Sequence, residues 1–155
     1  MKKKILKQHI GYWLNRLRSA VHYRFEERLA TYGVSVPAWC IMTSVYDDSA
    51  HSINELAEYI EIDKAAVSRL VDKLVHKGLL LHEPGKDRRS GNIRLTAEGQ
   101  LLVPKLIKEA EENEKEFFGY LSVQQQKSLQ TIFNEILTKT SSVKSEGWLL
   151  KSIKL

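Results

Sequence analysis

Only one cysteine, Cys40, occurs among the 155 residues, so no disulfide within the chain can hold the fold. A lone thiol suits a reducing compartment. No apolar run approaches the roughly 18 residues of a membrane-spanning helix. The opening Met1-Lys2-Lys3-Lys4-Ile5-Leu6-Lys7 is cationic, with no apolar stretch behind it. It does not read as a secretory signal, and a cytoplasmic, non-membrane protein is expected. No internal repeat or low-complexity segment is visible. Enzyme signatures are missing too. Gly85-Lys86-Asp87 lacks the spacing of a phosphate loop, and there is no nucleophile elbow or metal-binding helix motif. Paired carboxylates for acid-base work are also absent. His9, His22, His51, His76 and His82 show no metal-ligand spacing, so neither metal nor cofactor is expected.

Charge of one sign is not scarce, but it is unevenly placed. Residues 63–94 hold eight Lys and Arg against four Asp and Glu, whereas residues 95–155 hold eight of each and residues 1–62 eight against seven. The basic excess is therefore local, as a polyanion-binding surface requires. A membrane surface could also attract it, but these cations alternate with a core pattern, not with a broad apolar stripe. Hydrophobic residues make up 43% of the chain, enough to exclude a disordered protein.

Hydrophobic periodicity organises the rest. Ile10, Leu14, Leu17, Val21, Phe25 and Leu29 recur every three or four residues and predict one long helix from about Ile5, ending near Gly33. Pro37 suits the first turn of a second helix running to about Asp47. The segment from Asp47 to His51 reads as a polar loop. Ser52 with Glu55 reads as a capping box for a third helix. Asp63 is a candidate cap for the next, Lys64 to Lys77, whose Val67, Leu70, Val71 and Leu74 share one face, and Gly78 stops it. These two short helices describe a helix-turn-helix. Leu79-Leu80-Leu81 and Ile93/Leu95 flank the basic turn from Glu83 to Asn92 and predict a β-hairpin. Thr96 caps a long helix to about Leu121, with Pro104 expected to kink it or mark its true start. Ser122 caps a last helix bearing Leu129, Ile132, Phe133, Ile136 and Leu137.

The expected fold is mainly α with a small β-wing. It comprises a winged helix-turn-helix lobe over 36–98, dimerisation helices over 5–30 and 99–140, and a tail over 141–155 in which Trp148-Leu149-Leu150 docks or stays mobile. The terminal helices carry apolar stripes too long to leave in water, and their simplest partner is a second copy.

In the helix from Lys64, the face opposite the core stripe holds Ala65, Ser68, Arg69, Asp72, Lys73 and His76. A recognition helix reads bases with its N-terminal residues, which favours Ser68 and Arg69. Lys64, Lys73 and Lys77 are candidates for phosphate. Lys86, Arg88 and Arg89 on the hairpin can reach a backbone or a narrow minor groove, with Asp87 bracing Arg89. The bland alternatives are a solvated helix face and a polar turn.

Asp87-Arg88-Arg89 followed by Leu95-Thr96-Ala97-Glu98-Gly99 resembles the D-x-R … L-T-x-x-G wing signature of the MarR family of bacterial transcription regulators. Ile53-Asn54-Glu55-Leu56-Ala57, the run from Val67 to Leu74, and Val36-Pro37-Ala38-Trp39 resemble other segments of that family. The resemblance spans about Ile5 to Leu137. It implies a homodimer that binds pseudo-palindromic double-stranded DNA, usually as a repressor, and that a small aromatic acid releases. It also implies that Ser68 and Arg69 face the major groove, that Asp87 braces the wing, and that Arg88 and Arg89 lie at or near the minor groove. At Ala38 and Cys40 many relatives carry Glu and Arg, which weakens any transfer of ligand contacts. Tyr12, Trp13, Arg16, Trp39 and Met42 are the candidate effector residues, an arginine among aromatics being suited to a carboxylate. The alternative leaves the tryptophans in the core. Two other readings stand beside this one: a redox sensor acting through Cys40, and a winged helix that docks on protein instead of DNA.

Overall fold

The computed structural model describes residues 5–87 and 90–140. The chain forms six α-helices and one hairpin among these residues. α1 (Ile10–Ala30), α2 (Val36–Tyr46), α3 (Ile53–Tyr59) and α4 (Lys64–His76) precede the strands β1 (Leu80–Glu83) and β2 (Asn92–Leu95). α5 (Ala97–Phe118) and α6 (Val123–Lys139) follow. The strands pair antiparallel, Leu80 opposite Leu95 and Glu83 opposite Asn92.

Local chemistry sets most boundaries. Ser35, Ser52, Asp63, Thr96 and Ser122 each cap a helix by accepting a backbone N–H with the side chain. Ser122 forms a full capping box with Gln125. Glu55 reaches one residue further back than a box would, accepting from His51 N at 2.7 Å. Gly33 at φ +67° and Gly78 at φ +74° lie just past the ends of α1 and α4, in the left-handed conformation that glycine adopts without a Cβ clash.

Three expectations are revised. The first helix does not begin at Ile5. Ile5–Gln8 is a separate 3-10 turn, and His9 is extended and makes no side-chain cap. Such tighter turns are common where a helix end has no tertiary support. Of the two readings of Pro104, the start of α5 is excluded, because the helix runs through it from Ala97 behind the expected Thr96 cap. Finally, the loop before α3 is not merely polar: Ala50 is buried, and His51 O accepts from Ile93 N at 2.6 Å, tying the loop to β2. The expected tail, 141–155, lies outside the described residues.

One core joins the central elements. Leu29 of α1, Ile41 and Met42 of α2, Ile53 and Leu56 of α3, Val67 and Val71 of α4, Leu80 and Ile93 of the hairpin, and Val103 and Leu106 of α5 are all fully buried. α5 therefore serves both halves, since its first turns pack on α2 and the hairpin while its length packs on α1. Arg24 and Arg28 of α1 pair with Glu116 of α5, and Arg28 also reaches Glu109 at 3.4 Å. α6 contributes no buried residue to this single chain.

Candidate nucleic-acid interface

α4 presents two different flanks. Ala66, Val67, Val71 and Leu74 are buried and Leu70 is half-buried, so this side is spent on the core. Ala65, Arg69, Asp72 and His76, spaced i, i+4, i+7 and i+11, share the exposed face, with Ser68 and Lys73 at its edges. Asp63 Oδ1 accepts from Ala65 N at 2.9 Å and sets the start of the helix, beside which Lys64 is exposed. Ser68 and Arg69 thus lie in the N-terminal half of an exposed helical face, where a recognition helix meets base edges.

The hairpin stands beside α4, which packs on β1. Across it Glu83 and Arg94 form an ion pair on the outer face, while Ile93 and Leu95 point into the core. Gly91 is compulsory, because a Cβ there would lie 2.3 Å from Glu83 O. At the tip, Asp87 Oδ1 accepts from Ser90 N at 3.0 Å, so the carboxylate closes the turn on backbone. Lys86 is exposed. Arg88 and Arg89, and with them the expected Asp87–Arg89 brace, lie outside the described residues.

The far end of α4 is tied down twice. Thr96 Oγ1 donates to Gly78 O at 2.7 Å, and Thr96 N donates to Leu79 O at 3.1 Å. On the other side, Lys77 Nζ donates to Gly33 O. Lys77 is a phosphate candidate on the sequence reading; in the single chain its ammonium donates to a protein carbonyl. The spacing of cations could not reveal it, because Gly33 lies 44 positions away in the chain.

The candidate effector residues are not assembled into one site. Tyr12 and Trp13 meet edge to face at 5.3 Å, and the Arg16 guanidinium lies over Trp13 at 5.8 Å. Trp13 Nε1 donates to Lys7 O at 2.9 Å. This cluster belongs to the exposed start of α1. Met42, by contrast, is fully buried in the core, and Trp39 packs edge to face on Phe25 at 4.9 Å. Sequence reasoning missed an apolar recess elsewhere. A mainly apolar recess of about 350 Å³ lies between α1, α2, the end of α5 and α6. Leu17, Arg18, His22, Trp39, Phe118 and Phe133 are among its lining residues, and Trp39 Nε1 is buried with no hydrogen-bond partner. The Leu14-Leu17-Val21 stripe pointed to this side of α1, whereas Tyr12 and Arg16 lie on the other.

Cys40 lines the same recess. Burial pushes its thiol up to about 12, the opposite of the activation that a peroxide-sensing cysteine needs. Among the described residues no group of three His, Cys, Asp or Glu could hold a metal ion, and no helix is long and apolar enough to cross a membrane.

Comparisons with known proteins agree with this geometry. Residues 32–90 match the model of the MarR family. The HTH-type transcriptional regulator PrsX of Escherichia coli is 23% identical over 133 residues, covering 84% of this chain and 80% of PrsX. A mutant MarR from E. coli, complexed with operator DNA, superposes with a TM-score of 0.73 at 18% identity, covering 83% of this chain and 93% of that one. Bordetella bronchiseptica BpsR, whose DNA binding is regulated by 6-hydroxynicotinic acid, gives a TM-score of 0.73 at 21% identity, covering 83% and 92%.

Proposed function

We propose that the protein, whose residues 32–90 match the model of the MarR family, is a sequence-specific, DNA-binding transcription regulator of that kind. In this reading it acts as a homodimeric repressor on a pseudo-palindromic operator. The observation that carries it is the division of α4: one flank is buried against α2, α3 and β1, while Ser68, Arg69 and Lys73 stay accessible next to a basic hairpin. Ser68 and Arg69 read bases from the major groove, Ala65 lets the helix approach closely, and Lys64 and Lys73 hold phosphates. Lys86, with Arg88 and Arg89, follows the backbone or the minor groove from the wing.

Dimerisation follows from what the single chain leaves uncovered. Ile10, Leu14 and Leu17 on α1 and Ile132, Phe133, Ile136 and Leu137 on α6 are all exposed. Exposed apolar stripes of this kind suit an interface. Two copies joined there present two α4 helices to successive major grooves about 34–36 Å apart.

The effector reading is a small aromatic acid in the recess beside Trp39. Arg18 and His22 suit the acid group, and Phe25, Phe118 and Phe133 suit the ring. Its position between α1, α2, α5 and α6 lets an occupant alter how the terminal helices sit against the DNA-binding lobe, and so favour one lobe spacing over another. The redox alternative loses support from the neutral, buried Cys40 thiol.

The deciding experiment is duplex binding at graded salt. Log affinity should fall linearly with log salt concentration. Binding indifferent to salt, or no binding at low salt by an intact dimer, would sink the proposal and favour a protein-docking winged helix.

A further inference from the structure

We propose that Lys77 is a positioning residue, whose bond to the Gly33 carbonyl sets the angle of α4 against the α1–α2 corner. It does not bind phosphate. The inference rests on the reading of α4 as the DNA-reading helix.

Four observations converge on it. Lys77 lies one turn beyond Lys73 on the flank of α4 that also carries Ala66 and Leu70, at the edge of the face of Ala65, Arg69, Asp72 and His76. Its ammonium donates to Gly33 O. That carbonyl belongs to the residue that ends α1, with Gly33 N donating to Ala30 O at 3.0 Å and φ at +67° turning the chain toward α2. Finally, Gly78, the next residue along from Lys77, is itself anchored through Thr96 Oγ1 at 2.7 Å to the start of α5. The end of α4 is thereby bonded on one side to α5 and on the other to α1. Ser68 and Arg69 lie in the N-terminal half of the same helix. Core packing of Ala66, Val67, Val71 and Leu74 holds one flank of α4, and the two bonds at its end fix the angle at which the exposed face meets bases. The loss of one anchor should therefore cost discrimination before it costs non-specific grip.

The two roles predict different measurements. The probes are a duplex selected by the wild-type protein from a random pool and an unselected duplex of the same length, each titrated at several KCl concentrations. For a positioning residue, Lys77→Met lowers affinity for the selected duplex about tenfold, the size of one good base contact. It leaves the unselected duplex nearly unchanged and the slope of log affinity against log salt as in the wild type. Lys77→Arg, which can still donate to Gly33 O, restores discrimination. For a phosphate contact, Lys77→Met weakens both duplexes alike and reduces the slope by about 0.9, as Lys73→Met should. That result overturns the proposal, as does a Lys77→Met protein indistinguishable from wild type.

Amine acetylation of the wild-type protein gives an answer that needs no variant to fold. Lys77 should react more slowly than Lys73 in the free protein, and DNA should slow Lys73 without further slowing Lys77. Protection of Lys77 that appears only with DNA overturns the assignment. If the wild-type chain selects no duplex at all, the regulator reading fails, and the free-protein labelling still reports whether the Lys77–Gly33 bond exists.

Discussion

The Thr96 hydroxyl donates to the Gly78 carbonyl at 2.7 Å while accepting from Gly99 N at 3.0 Å, so one side chain closes α4 and caps α5. Thr96→Val keeps the shape but removes both bonds. It should destabilise the protein by about 0.5–2 kcal/mol, the cost of a lost cap, since water can satisfy the exposed Gly78 carbonyl. Urea titration measures this, and Thr96→Ser should recover most of the loss.

Arg69→Ala should reduce discrimination between selected and unselected duplexes by about 1–3 kcal/mol, since an arginine reads guanine through two hydrogen bonds. Lys64→Ala should weaken both alike and reduce the salt slope by about 0.9. Competition binding at two salt concentrations separates the two effects. An Arg69→Ala protein with unchanged selectivity would remove Arg69 from the readout.

Burial raises the Cys40 thiol to about 12, so at neutral pH it is protonated and a poor nucleophile. Alkylation by iodoacetamide at pH 7.5 should be far slower in the folded protein than in urea. A rate close to that of the unfolded chain would restore the redox reading.

Hydrogen bonds from Arg28 and then Arg24 hold the Glu116 carboxylate below the usual glutamate range. The folded state thus binds this proton less readily than the unfolded state does. The stabilisation is present above the unfolded value, about 4.3, and is lost as pH falls through the lower folded value. Between pH 6 and acidic conditions the urea midpoint of Glu116→Gln should decline less than that of the wild type. Parallel declines would mean that the pair across α1 and α5 contributes nothing measurable.

Ile132→Glu with Ile136→Glu places two charges on the uncovered face of α6. Because α6 buries no residue in the single chain, the core should survive while self-association is lost. Sedimentation should show a smaller species with unchanged helical content, and an unaltered sedimentation coefficient would move the dimer interface elsewhere.

The parts of this fold that depend on near neighbours in sequence were legible beforehand. Asp63, Thr96 and Ser122 act within three residues of themselves, and the Val67-Val71-Leu74 stripe needs only the helical repeat. Long-range polar contacts were not legible. Lys77 looked like one more cation until Gly33 stood opposite it, and nothing in the charge pattern distinguishes the two roles. The grouping of the effector candidates was also not legible in full, because Trp39 lines the recess while Met42 is buried in the core. Tyr12, Trp13 and Arg16 do gather together, but on a different side of α1 from Trp39, and the helical repeat already separated Arg16 from Leu14, Leu17 and Val21.

α5 has a mechanical consequence. Its 22 residues make a rod about 33 Å long, with the wing and Gly78 joined to one end and the arginines of α1 gripping the other. Rotation of such a rod by about 5° around its distal end would sweep the proximal end through about 3 Å, comparable to the rise between neighbouring base pairs. Pro104 sits a third of the way along and removes the N–H that would have bonded to Gln100 O. The helix ladder is therefore one bond short at that turn, nearer the wing than the grip.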